Sequence, residues 1–265
     1  MRLQVRHVTR YDYTPPVARA GLRLKLFPSK FAGQKALNWS VTVNDAPVTP
    51  LFNGPYGDAE ALWTTTAPSP SIEIVAEGVI DVEDTHGVVR GLAEPARPGL
   101  FLRTTPLTAR SAGIDALATG INTPNVLDAM HQLCNAVRDA VDYEQSATHH
   151  QTTAAEALKL GRGVCQDHAH IFISAARSRG VPARYVTGYL MADGGEETHA
   201  WAEVCVPDLG WVAFDPSNRR CPTDSYVRLC AGLDAADAAP LRGSVAPHES
   251  ERLAVEVDIA EASQQ

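Results

Sequence analysis

The first third of the chain alternates apolar and polar side chains with a period of two. Over residues 2–13 the odd positions are mostly apolar or aromatic, whereas the even positions mostly carry arginine, glutamine and aspartate. Segments 22–26 and 37–43 repeat the alternation, and a further apolar run covers 72–82. Short alternating segments separated by Pro, Gly and Asn predict an antiparallel β-sandwich. In the third segment the residues expected on the buried face are Leu37, Trp39, Val41 and Val43.

The pattern becomes helical in the second half of the chain, after a turn-rich segment at about 84–110. A Thr-Pro dipeptide at 123–124 is typical of a helix start, and apolar residues follow it at helical spacing. Thr153 and Glu156 have the spacing of a capping box. They predict a second, short helix that ends at Gly161.

A third helix is predicted with Cys165 in its first turn, because an apolar stripe runs along the segment and Gly180 follows where a C-terminal cap belongs. Strand patterns return after this helix. Residues 231–250 are rich in Ala, Pro and Asp and predict a surface loop ahead of a last strand. We therefore expect an α+β protein with a β-rich N-terminal domain at 1–95 and a mixed core at 96–265.

The sequence GRGVCQDHAH places the thiol of Cys165 in the first turn of the predicted helix. The positive end of the helix dipole and the free backbone N–H groups there stabilise a thiolate over a thiol. The N–H of Cys165 is also placed to bind a developing oxyanion, and Gly163 is expected to let the chain approach a substrate closely. A small buried packing residue is the alternative interpretation of this cysteine.

A nucleophilic thiol needs a base, and His199 and Asp215 supply a base and its orienting acceptor. They lie on two strand segments joined through PDLG, which is a hairpin signal. An odd loop puts His199 and Asp215 on the same face, and a five-residue loop over 206–210 would place Trp201 opposite Asp215. His199 would then be one diagonal from Asp215, within reach of two side chains. Each residue also has a purely structural explanation, His199 as a packing residue and Asp215 as the start of an Asp-Pro turn. The hypothesis therefore depends on the presence of Cys165, His199 and Asp215 together.

His168 and His170, next to Cys165 and Asp167, raise the alternative of a metal site. Two histidines two residues apart point to different faces of a helix. The segment also matches neither the CxxC nor the HExxH spacing of known metal sites. We therefore expect no metal and no cofactor.

Composition narrows the class of protein further. The chain of 265 residues is 45% hydrophobic and 20% charged, which is ordinary for a folded protein. Its net charge of −8 argues against a nucleic acid partner, and the sequence contains neither a signal peptide pattern nor an apolar run long enough to span a membrane. Five scattered cysteines leave at least one thiol unpaired. We expect a cytoplasmic protein with reduced thiols.

These motifs together resemble a known family. GRGVCQDHAH, RSRGVPARYVTGYL and HAWAEVCVPDLGWVAFDPSN resemble the core of the bacterial transglutaminase-like family of papain-type cysteine enzymes. RHVTRYDYTPPV and LRLKLFP resemble the β-rich region that usually precedes that core. The resemblance implies Cys165 as nucleophile, His199 as general base and acid, and Asp215 as the residue that orients the histidine. It also implies a core in which the cysteine helix packs on an antiparallel sheet.

The resemblance and the motifs together predict a cysteine peptidase or amidase that acts on a peptide or protein substrate through a thioester. A cross-linking transglutaminase, in which a lysine amine accepts the acyl group, is the first alternative. A catalytically silent binding module is the second. Tyr143, Gln166 and Trp201 are the residues expected to contact the substrate.

Overall fold

The computed structural model describes residues 1–192 and 195–262. Within these residues the chain forms sixteen strands, four α-helices and a 3-10 helix at Pro98–Leu102. The strands are β1 (Arg2–Val17), β2 (Ala20–Leu24), β3 (Gln34–Val43), β4 (Ala46–Pro47), β5 (Phe52–Asn53), β6 (Ala59–Thr65), β7 (Ser69–Val82), β8 (Val88–Val89), β9 (Asp142–Tyr143), β10 (Arg162–Gly163), β11 (Ala183–Ala192), β12 (Gly195–Val206), β13 (Gly210–Phe214), β14 (Tyr226–Gly232), β15 (Leu241–Val245) and β16 (Ser250–Glu261). The helices are α1 (Ala112–Gly120), α2 (Val126–Ala140), α3 (Ala154–Leu160) and α4 (Cys165–Ser178).

The N-terminal region is a sandwich of two antiparallel sheets. One sheet has the order β16-β1-β7-β3-β4 and the other the order β15-β2-β6-β5. The two sheets enclose an apolar core that includes Leu3, Leu24 and Ile74. Burial of such side chains contributes about 1.5–3 kcal/mol each. The predicted sandwich is thus confirmed, as is the α+β fold class.

The last two strands of the chain belong to this sandwich. Strand β16 pairs with β1, from Leu3 opposite Glu261 to Thr14 opposite Ser250. Strand β15 pairs with β2 and lies within residues 231–250. The prediction that all of 231–250 is a surface loop is therefore wrong, because the pairing partner of β15 lies far away in the sequence and leaves no local signal.

The alternation in β3 is interrupted by a bulge. Ala36 pairs with Ile80 and Asn38 with the adjacent Val79, which leaves Leu37 without a partner on β7. An extra residue reverses the faces on either side of it. Leu37 is consequently 43% exposed, whereas Val41 and Val43 are buried as expected.

The second half of the chain builds a sheet with four helices around it. The sheet has the order β14-β11-β12-β13-β8, and α4 packs on β11 and β12 while α1, α2 and α3 surround α4. The whole stretch from Asp167 to Arg177 is buried, rather than the single stripe that the sequence pattern indicates. This central burial fixes the first turn of α4, where Cys165 lies.

Short sequence motifs predict two of the other three helices, α2 and α3, but not α1. The capping box of Thr153 and Glu156 is present, and α3 ends at Gly161 in the left-handed conformation, so both predictions are confirmed. Helix α2 begins two residues after Pro124, with Asn125 as its cap. Helix α1 was not predicted, because it is short and contains two glycines, which are poor helix formers.

A chain of alternating charges connects the sandwich to the core sheet. The outer members, Arg23 and Glu94, are partly exposed, and the six between them are buried. Buried charges are stable only when each has a partner of opposite sign. The links run in the order Arg23, Glu60, Lys25, Asp58, Arg228, Glu203, Arg184 and Glu94.

Candidate active site

Cys165 is the first residue of α4, and Asp167 caps the helix around it. One carboxylate oxygen of Asp167 accepts hydrogen bonds from the backbone N–H of Val164 (2.8 Å) and from the hydroxyl of Thr148 (2.6 Å). A Cβ at Gly163 would lie 2.6 Å from that same oxygen. Gly163 therefore makes room for the helix cap, and its predicted role in close approach to a substrate is not what the local geometry requires.

The predicted register of the hairpin that carries His199 and Asp215 is confirmed. Cys205 pairs with Trp211 and Val206 with Gly210, so three residues separate the paired ends of β12 and β13. Odd positions thus oppose odd positions, and Asp215 reaches the face of His199. The Nε2 atom of His199 lies 2.7 Å from Oδ2 of Asp215.

Asp215 is a buried carboxylate that five donors surround. Besides His199, it accepts hydrogen bonds from the hydroxyls of Ser217 (2.6 Å) and Tyr226 (2.8 Å) and from the backbone and side-chain nitrogens of Asn218 (3.2 and 2.7 Å). Burial alone would favour the neutral acid, but the hydrogen bonds and the charge of His199 outweigh it and lower the pKa of Asp215 to about 2. Asp215 is therefore a fixed negative charge behind the imidazole.

His199 is close to both Asp215 and Cys165, because its Nε2 atom bonds Asp215 and its ring lines the same cavity as the thiol. Burial opposes the imidazolium, yet the interactions with Asp215 and Cys165 outweigh it and raise the pKa of His199 to about 10. Because Nε2 is committed to Asp215, Nδ1 is the nitrogen left for the thiol.

Cys165 and His199 open into one cavity of about 460 Å³. This volume is within the range of small-ligand sites. One wall consists of small apolar residues between β14 and β15, and the opposite wall of the start of α4 and the strands β11 and β12. Within the described residues the lining is His150, Val164, Cys165, Gln166, Tyr185, Thr187, Thr198, His199, Ala200, Ala235, Ala236, Ala239 and Pro240.

The three predicted substrate contacts have different positions. Gln166 lines the cavity, and its amide donates to the carbonyl of His150 at 3.3 Å. Tyr143 is 39% exposed and stacks on the ring of His168, outside the cavity lining. Trp201 is 2% exposed and stacks on the ring of His199 at 6.3 Å. The structure corrects the prediction for Trp201, because its side chain supports the imidazole from behind and does not reach the cavity.

The histidines next to Cys165 bind the backbone. The ring nitrogens of His168 lie 2.8 Å from the carbonyl oxygen of Val164 and 3.0 Å from that of Val141. Nε2 of His170 accepts the N–H of Ala235 at 3.1 Å. Over 1–192 and 195–262, no group of three His, Cys, Asp or Glu is arranged to hold a metal ion. These rings anchor α4 to its surroundings.

Sequence reasoning missed two tyrosines of the site. Tyr226 lies on β14 and donates to Asp215, and Tyr185 lies on β11 in the cavity wall. Ser217 and Asn218 could have been found, because they follow Asp215 directly in DPSN and such positions commonly bond a preceding aspartate. The tyrosines lie on other strands and only the sheet order brings them near, so no local signal could have found them.

Gly188 determines the position of Trp201 and, through it, of His199. It lies opposite His199 in the pairing of β11 with β12. A Cβ there would overlap the carbonyl oxygen of Val227 and the ring of Trp201. We predict that Gly188→Ala lowers the free energy of unfolding by about 1–3 kcal/mol, the usual cost of overpacking, as measured by urea denaturation.

Gly120→Ala is the matched control for this prediction. Gly120 is the last residue of α1, and no described atom lies within 4 Å of a Cβ at this position. The same substitution is expected to be neutral or to stabilise by up to about 1 kcal/mol. Equal effects of the two substitutions would contradict the role given to Gly188.

Comparisons with known proteins show which families this sequence resembles. The family model of the transglutaminase-like superfamily matches residues 107–216, and that of the bacterial transglutaminase-like N-terminal region matches residues 3–81. An uncharacterized protein of Mycobacterium tuberculosis is 29% identical over 300 residues, which cover 97% of this chain and 92% of that protein. A protein-glutamine gamma-glutamyltransferase of Pseudomonas aeruginosa is 32% identical over 87 residues, 28% of this chain and 12% of that enzyme.

A solved structure shows the same fold. The crystal structure of a candidate cysteine protease from Cytophaga hutchinsonii superposes with a TM-score of 0.80 at 20% identity and covers 100% of this chain and 92% of that one. Among the described residues, no helix is long and apolar enough to cross a bilayer. The chain thus has a transglutaminase-like core, which carries Cys165, and a bacterial transglutaminase-like N-terminal region before it.

Proposed function

We propose that the protein is a cysteine amidase or peptidase that hydrolyses a peptide or carboxamide bond through a thioester on Cys165. The observation that carries the proposal is the position of His199, which is hydrogen-bonded to Asp215 and lines one cavity together with Cys165. A nucleophile and a base at one cavity, with an acceptor that orients the base, are the groups that covalent acyl transfer needs.

The first half of the reaction is acylation. The thiolate of Cys165 attacks the carbonyl carbon of the substrate, and the carbonyl oxygen takes the electron pair to give a tetrahedral oxyanion. The imidazolium of His199 then donates its Nδ1 proton to the leaving nitrogen. The C–N bond breaks, the amine departs, and a thioester on Cys165 and a neutral imidazole remain.

The second half regenerates the thiolate. Neutral His199 removes a proton from water, and the resulting hydroxide equivalent attacks the thioester carbon. The C–S bond breaks, a carboxylic acid leaves, and the imidazolium–thiolate pair is restored. Asp215 keeps its charge throughout, because its five donors disfavour protonation of the carboxylate.

The identity of the acyl acceptor is tested with peptides that contain carboxamides, incubated in H₂¹⁸O with a labelled primary amine. We expect an acid product with one ¹⁸O atom per bond cleaved, and a trapped acyl adduct on Cys165 found by mass spectrometry. Incorporation of the amine without acid would instead make the protein an acyltransferase. A wild-type protein that forms neither product nor adduct with a broad peptide panel would be a silent binding module, contrary to the proposal.

A further inference from the structure

The hydroxyl of Tyr185 is a polar group of the catalytic cavity that the mechanism above does not use. Tyr185 is only 3% exposed, yet its side chain lines the cavity beside Cys165. Its hydroxyl makes no hydrogen bond to any residue in the described part of the chain. The hydroxyl oxygen is not among the fully buried polar atoms that lack a partner, so it is accessible from the cavity. Such a hydroxyl is free to bond a molecule that enters the cavity.

The surroundings of Tyr185 hold its ring in place. On β11 it lies opposite Ala202 on one side and Gly232 on the other, and these small residues leave room for the ring. The ring packs against His170, with centroids 5.0 Å apart, and His170 is in turn bonded to the backbone of Ala235. The direction of the hydroxyl is therefore set before a substrate arrives.

The charges around the hydroxyl keep it protonated. Burial is the largest effect, and the negative charges of Cys165, Asp167 and Asp234 act in the same direction, so the pKa of Tyr185 is well above its ordinary value. The group is thus a hydrogen-bond donor over the whole working range of the protein. It is unsuited to the role of a base.

A second donor faces the same space. Cys165 is the first residue of α4, a helix of fourteen residues, and the N–H groups of a first turn have no partner within the helix. Cys165 and Tyr185 line the same cavity, and the positive end of the helix dipole lies at the Cys165 end of α4. Two donors beside a nucleophile are the groups that stabilise an oxyanion.

We propose that Tyr185 is a catalytic residue whose hydroxyl, together with the N–H of Cys165, binds the substrate carbonyl oxygen and stabilises the oxyanion that forms on it. The inference rests on the proposed function, because it concerns the same acyl transfer. When the sulfur–carbon bond forms, the carbonyl π electrons move to oxygen, and both donors strengthen their hydrogen bonds without giving up a proton. When the C–N bond breaks, the electrons return and the bonds weaken.

The test is Tyr185→Phe, which removes one oxygen and keeps the ring that packs on His170. We expect kcat to fall about 100-fold while KM changes less than about 3-fold, because the lost bond is strong only in the transition state. Affinity for a peptide aldehyde, which forms a hemithioacetal oxyanion, should fall by a similar factor. Alkylation of Cys165 by iodoacetamide should stay within about 2-fold, since substitution at a saturated carbon forms no oxyanion.

Tyr189→Phe is the matched control. Tyr189 lies on the same strand, but its hydroxyl is bonded to His7 at 2.9 Å, outside the cavity. We expect its kcat to equal that of the wild-type protein. A kcat for Tyr185→Phe within about 3-fold of wild type would overturn the proposal, as would a parallel loss of alkylation. A wild-type protein that is alkylated yet shows no turnover would overturn the proposed function itself.

Discussion

Replacing Cys165 with alanine is expected to reduce amide hydrolysis by about 10⁴-fold or more. The sulfur is the atom that bonds to the substrate in the proposed mechanism, and the described lining of the cavity contains no other thiol. Loss of a nucleophile typically leaves only the activity due to binding and oxyanion stabilisation. The measurement is kcat/KM with the best peptide found, alongside circular dichroism to confirm folding.

Cys205→Ala is the control for this variant. Cys205 is partly buried at the far end of β12, opposite Trp211, and does not line the cavity. The Cys205→Ala variant should retain wild-type activity.

A second comparison tests whether Cys165 and His199 act as one unit. If they do, the double variant Cys165→Ala/His199→Ala should be no less active than Cys165→Ala alone. Residual activity in Cys165→Ala near the wild-type value would remove the thioester mechanism.

Replacing Glu203 with glutamine is expected to lower the free energy of unfolding by about 3–5 kcal/mol. Glu203 is fully buried on β12 and accepts hydrogen bonds from Nε of Arg184 at 2.6 Å and Nε of Arg228 at 2.8 Å. The amide keeps the shape but loses the charge, and two buried guanidinium groups are left short of a counter-ion. Chemical denaturation measures the loss, and thermal unfolding should shift by on the order of 10 °C.

Glu77→Gln is the same substitution at a surface ion pair. Glu77 lies 3.4 Å from Arg6, and both side chains are 49% exposed. Pairs of this kind contribute about 0–1 kcal/mol. If Glu203→Gln and Glu77→Gln lower the free energy of unfolding equally, the buried chain of charges does not stabilise the fold as argued.

The acid dependence of stability gives an independent check on Glu203. Burial alone would raise the pKa of Glu203, but the charges of Arg184 and Arg228 outweigh it and lower the pKa to about 2. A carboxyl group with a lowered pKa stabilises the folded state above its ordinary value, here 4.5, and this contribution is lost as the pH falls toward 2. The difference in stability between wild type and Glu203→Gln should therefore shrink over that interval.

The parts of the site that could be predicted are those encoded by short-range spacing. The odd register of β12 and β13 follows from the residues between Val206 and Gly210, and it brings Asp215 to His199. The placement of Cys165 follows from a helix start that the sequence marks clearly. Asp167 orders this helix start through its bond to the N–H of Val164.

The parts that could not be predicted depend on sheet order. Tyr226 reaches Asp215, and Tyr185 reaches the cavity, only because β14 and β12 both flank β11. The same is true of the chain of charges, whose members come from segments far apart in the sequence. Period-two alternation shows that a strand has a buried face, but it does not show which strand lies next to it, and a bulge such as that at Leu37 leaves no trace in composition.

The pairing of β16 with β1 has a consequence for synthesis on the ribosome. Strand β1 precedes the core in the sequence and its partner β16 follows it, so β1 emerges well before β16. Residues 235–240, which form part of the cavity lining, come just before β15 and β16 in the sequence. Between the synthesis of Cys165 and that of residues 235–240, the nascent chain therefore carries the thiol without this part of the cavity lining and without β16. The cavity that the proposed mechanism needs is complete only after 235–240 have folded back onto the core.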